Sequence, residues 1–123
     1  MTTNEITLAK QQFAAVLEAA GLNVKDYIPD RITPPVLVMN FGSPYLQPNS
    51  ISSEWLLGIE LVIVAQNATN AQATERLDAV IQDTIRALPH YARLSSVGQP
   101  YNLQTNTAEY LSANLLIELR ITI

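Results

Sequence analysis

The chain has 123 residues, no cysteine, and eleven acidic against seven basic side chains, for a formal net charge of −4. Disulfide staples, zinc thiolate sites and thiol nucleophiles are therefore excluded, and an anionic chain has no basic patch with which to grip nucleic acid through counterion release. A chain of this length can bury roughly two thirds of its unfolded surface around one core, which predicts a single α+β domain over residues 1–123 that needs no metal to fold.

Residues 5–20 place Ile6, Ala9, Phe13, Val16, Leu17 and Ala20 on one helical face, with Thr2 or Asn4 as cap and Gly21 as a left-handed terminator. Val24–Ile28 has the character of a short strand. Pro29, Pro34 and Pro35 stiffen the connection that follows. Val36–Phe41 is a compact strand, and the turn residues from Gly42 to Ser50 predict a loop.

The longest apolar run, Trp55 to Ala65, is too short for the roughly 20 residues that span a bilayer, so no membrane segment is expected. Without a charged-then-apolar leader, a cytoplasmic origin is expected. Within Trp55–Gln66 both parities are apolar: Trp55, Leu57, Ile59, Leu61 and Ile63 on one side, Leu56, Val62 and Val64 on the other. Both faces of this strand should be covered. Thr69 and Gln72 have capping-box spacing, and Leu77, Val80, Ile81, Thr84, Ile85 and Leu88 form a helical stripe that Pro89 ends.

Tyr91–Val97 reads as a weaker strand and Gly98–Thr107 as a second polar loop. From Tyr110 to Ile123 apolar and polar residues alternate, the pattern of a half-buried antiparallel strand. The order α-β-β-β-α-β-β predicts a mainly antiparallel sheet of about five strands with two helices packed on one face. Its other face then needs a cover, either the chain folding over itself or a partner subunit.

Catalytic motifs are missing. Among the four glycines no phosphate-binding or nucleophile-elbow pattern occurs, and the single histidine, His90, follows a helix stop, where a surface position is the plain reading. Asp26 and Asp30 are too few for a hard-cation site, so no cofactor is expected. Two stretches, Ile32–Ser53 and Leu94–Ala108, carry no charge although both contain predicted loops. Charge depletion with Tyr, Asn and Gln retained marks protein-contact surface; uncharged turns are the plain alternative. The stretches echo one another, Pro44-Tyr45-Leu46-Gln47 against Pro100-Tyr101-Asn102-Leu103-Gln104. Tyr45, Leu46, Gln47, Tyr101, Leu103 and Gln104 are thus interface candidates, with the tyrosines as anchors. Glu60, a carboxylate inside an apolar strand, is another, with Arg120 as a candidate partner within or between subunits, unless Glu60 is simply wet.

The sequence Leu17-Glu18-Ala19-Ala20-Gly21 at the end of the first helix, the segment Arg31–Val38, the strand Trp55–Val64, the helix from Ala73 to Leu88, the Val97–Tyr101 turn and the closing strand from Tyr110 resemble the small tail terminator, or tail-completion, proteins of tailed bacteriophages. The resemblance implies a non-enzymatic structural protein of the virion, assembled in the host cytoplasm as a hexameric ring. Such a ring caps the head-proximal end of the tube built by the major tail protein and meets the head–tail connector, while DNA passes through its lumen without specific binding. A connector or stopper of the neck, or a tail tube subunit, is the neighbouring reading. A small enzyme or ligand-binding domain is the reading from a different class.

Overall fold

The computed structural model describes residues 4–26, 35–50, 53–65, 70–104 and 109–123. In chain order its elements are α1 (Glu5–Ala19), β1 (Val24–Lys25), β2 (Val36–Pro48), β3 (Glu54–Ala65), α2 (Asn70–Ala87), β4 (Ala92–Val97), β5 (Tyr101–Gln104) and β6 (Glu109–Thr122). The sheet runs β1-β2-β3-β6-β4, with β5 also paired to β6. Among the described residues the β1–β2 pair alone is parallel, so the sheet is mixed but mainly antiparallel, as expected, with six strands where about five were expected.

The centre is β3 against β6, in register from Glu54↔Thr122 to Ala65↔Leu111. Side chains alternate across a strand, so this register sends the odd-numbered residues of both strands to one face. Leu57, Ile59, Leu61 and Ile63 there meet Leu119, Ile117, Leu115 and Ala113, all essentially inaccessible to solvent. Phe13 and Leu17 of α1 and Leu77 of α2 complete the same core cluster, which places both helices on this face.

Helix α1 starts where the Asn4 side chain accepts the Thr7 N–H at 2.8 Å. It ends in a Schellman arrangement, with the Gly21 N–H donating to Glu18 O and the Leu22 N–H to Leu17 O, and Gly21 at φ +93°. Ala20, placed on the buried stripe by its spacing, is the exposed cap residue. In α2 the buried Thr84 is satisfied by donating to Val80 O at 2.7 Å, whereas Ile85 is 41% exposed, outside the stripe expected of it. The capping Thr69 lies outside the described residues, as do Pro29, Asp30 and Pro34.

Parts of two expected loops are strand instead, Gly42–Pro48 in one and Tyr101–Gln104 in the other. Between the pairs Phe41↔Ile59 and Leu46↔Leu57, residues 42–45 stand against Gly58 alone, so β2 bulges and then resumes pairing as far as Pro48. A Cβ at Gly58 would overlap the Pro44 carbonyl, and one at Gly42 would lie 2.6 Å from the Gly58 carbonyl carbon. Only two facing glycines let the strands pass so closely. On the other edge, β4 and β5 behave as one interrupted strand along β6. The register steps by one residue between Leu94 and Ser96, and again between Val97↔Leu115 and Tyr101↔Ser112. Turn-rich composition marks these bulges, but the backbone returns to the ladder after each.

Gly58→Ala is expected to destabilise the fold by about 1–3 kcal/mol, the cost of forcing atoms into a closed space. Gly98→Ala, where an added Cβ comes no closer than 3.4 Å to Asn114 O, should change stability little. Urea unfolding of the two variants beside wild type measures the difference.

Candidate functional site

The face of the sheet away from the helices carries the even-numbered residues of β3 and β6 together with Gln47 of β2 and Tyr101 and Leu103 of β5. One end is closed by the chain itself. Val36 and Val64 are buried there with Val62, Leu103 and Tyr110 packed against them. The expected need for a second cover is therefore met at this end by the β5–β6 hairpin. Ser112 Oγ is buried beside this cluster without a hydrogen-bond partner among the described residues.

The middle of the face is a mosaic. Leu56, Val62 and Leu116 are half-buried beside Glu60, Asn114 and Glu118. The Tyr101 hydroxyl donates to Asn114 Oδ1 at 2.8 Å, and Asn114 Nδ2 donates to Glu60 Oε1 at 3.3 Å, linking β5, β6 and β3. A second link crosses the sheet where Gln47 Nε2 donates to Glu118 Oε2 at 3.0 Å. Burial of the phenol, and then the nearby Glu60 charge, raise the Tyr101 pKa above the usual 10.0; the Asn114 hydrogen bond opposes both. Both dominant causes penalise the phenolate.

The sequence candidates divide. Gln47, Glu60, Tyr101, Leu103 and, by alternation, Arg120 belong to this open face. Tyr45 and Leu46 do not: Leu46 packs against the helix-side core, and the Tyr45 hydroxyl accepts from Lys10 Nζ of α1 at 2.8 Å. Lys10 Nζ also sits 5.5 Å and 5.3 Å from the ring centroids of Phe41 and Tyr45, which meet edge to face. Gln104 donates to Glu109 at 2.8 Å beside the hairpin end. The two look-alike segments thus lie on opposite edges of the sheet.

The Glu60–Arg120 pair is not formed within the chain. Arg120 stands opposite Leu56 and Glu60 opposite Leu116, four residues apart along the strands, or about 13 Å. Arg120 Nε instead approaches Glu54 Oε2 at 3.9 Å. Glu60 has the Asn114 amide, which the alternating polar set of β6 contained but did not single out.

A shallow groove of about 690 Å³ runs between α1 and the outer edge of β2, past Lys10, Met39 and Phe41. It mixes Lys10 and Lys25 with Glu18 and Asp26, so it favours neither sign of ligand. His90 is exposed, edge-on to Tyr91 at 5.5 Å, and the described residues contain no group of three His, Asp or Glu side chains able to hold a metal. Nor do they contain a helix long and apolar enough to cross a membrane. No family model matches the chain, and no curated protein matches it.

Because the folded-state pKa of Tyr101 is raised, its contribution to stability is full below pH 10.0 and is lost as pH rises through 10.0 toward the folded value. Tyr101→Phe should abolish that increment of alkaline destabilisation. Glu60→Gln should lower the Tyr101 ionisation pH without restoring it fully, since burial is the larger cause. Ultraviolet titration of tyrosinate, with parallel melts, reads both effects.

Proposed function

We propose that this protein is a structural assembly factor of the phage tail terminator type, which forms a ring, caps the head-proximal end of a tail tube and joins the head-side neck proteins. The observation that carries this reading is the open sheet face, a half-buried mosaic of Leu56, Val62 and Leu116 with Glu60 and Glu118, of which the described residues cover one end. Apolar side chains between fixed polar groups are how a face that meets another protein is composed, because each polar group sets the register of the partner.

Further support comes from the architecture, a mostly antiparallel sheet with helices packed on it, since the resemblance implies an antiparallel sheet flanked by helices. The negative charge of the chain suits a lumen through which DNA slides without adhering. A ring of copies covers the open face and needs no catalytic group. Virion location, the major tail protein and the connector as partners, and a non-enzymatic role all belong to this proposal.

Electron microscopy of the purified protein, alone and mixed with a tail tube protein, tests it. Closed rings alone and capped tube ends in the mixture are expected. Long tubes formed by the protein on its own would identify a tube subunit instead. Monomers that ignore tube ends would end the structural reading altogether.

A further inference from the structure

Glu60 is a carboxylate of the open face that has no basic neighbour among the described residues. It is half-buried in a central strand, its cross-strand neighbours are Asn40 and Leu116, and its hydrogen bond comes from the neutral Asn114 amide. Elsewhere on the face the carboxylates have basic neighbours: Glu54 has Arg120, and Glu118 stands opposite Arg93. A half-buried carboxylate flanked by Leu116 and Val62 favours a surface that brings a cation set in apolar contact.

The cations of the same face already stand beside carboxylates, Arg120 near Glu54 and Arg93 opposite Glu118, so a spare cation has to come from another surface of a second copy. On the helix side, the last turn of α2 presents Ile85, 41% exposed, next to the exposed Arg86, which has no ion pair among the described residues. Lys10 is the rival cation with apolar neighbours, but the Tyr45 hydroxyl and the rings of Phe41 and Tyr45 already engage it.

We infer that the last turn of α2, through Ile85 and Arg86, docks on the Glu60 face of a second copy of this chain. Ile85 packs against Leu116 and Val62 beside Glu60, and the Arg86 guanidinium meets the Glu60 carboxylate. Donor and acceptor surfaces differ, so the contact is heterologous and repeats from copy to copy until the rotation closes a ring. The inference rests on the ring reading in that it supplies the contact between subunits.

The test is a charge-reversal cycle on the full chain: wild type, Glu60→Lys, Arg86→Glu and the double variant, compared by sedimentation velocity, with thermal melts followed by circular dichroism. Each single reversal should weaken assembly by roughly tenfold or more, and the double should regain most of it. Arg86 is exposed, so Arg86→Glu leaves the core intact; with Glu60→Gln it carries the test if Glu60→Lys does not fold. Assembly unmoved by Arg86→Glu, a double variant no better than the singles, or a monomeric wild type would each overturn the contact. Rings indifferent to Arg86→Glu would remove the contact and leave the ring standing. Rings that obey the cycle but leave tube ends uncapped would remove the terminator reading alone.

Discussion

The register between β3 and β6 holds from Glu54↔Thr122 to Ala65↔Leu111 without a break, and this pairing decides where nearly every other side chain can go. A slip of one residue would move Leu115, Ile117 and Leu119 out of the core and turn Asn114, Glu118 and Arg120 toward the helices. The apolar odd-numbered set of β6 makes that slip prohibitively costly. Phe13, Leu17 and Leu77 then seal one face, and the open face inherits whatever the even-numbered positions supply. Half-buried leucine, valine, glutamate and asparagine on that face are therefore consequences of a register fixed from the other side.

The edges of the sheet are less suited to association than its face. On one side β1 covers only Leu37 and Val38, and beyond it the outer edge of β2 is broken by the 42–45 bulge and by Pro44 and Pro48. On the other side β4 and β5 step out of register twice along β6. Bulges and prolines interrupt the row of free backbone groups that a neighbouring strand would need, a common defence against edge-to-edge polymerisation. Association through the face is left, and there side-chain chemistry, with Glu60 and the nearby leucines, sets specificity.

Much of this was legible in the sequence because it rested on periodicity. The alternation of β6, the two-sided apolar pattern of β3 and the Gly21 stop of α1 each reflect a local rule with little competition. The extension of β2 through Gly42–Pro48 was hidden because glycine and proline mark turns and bulges alike, and only the facing Gly58 distinguishes the two. The four-residue β5 was hidden for the same reason, in a stretch read as loop. The short strand at Val24 was legible, but its parallel pairing with β2 rests on two residues, too few to leave a pattern. Side-chain pairing was the least legible: Tyr45 and Tyr101 sit in matching sequence contexts, yet one meets Lys10 on the helix side and the other Asn114 on the open face. The interior partner of Glu60 is an asparagine on a neighbouring strand, not the arginine that charge alone suggests.

Whether the open face is where copies of this chain meet can be read most directly from a cryo-electron microscopy map of the assembled protein. The account predicts that Leu56, Glu60 and Leu116 lie against the neighbouring subunit, with helix α2 of that neighbour over them. A map in which the open face lines the lumen or stays in solvent, with subunits joined only along β2 and β4, would contradict it.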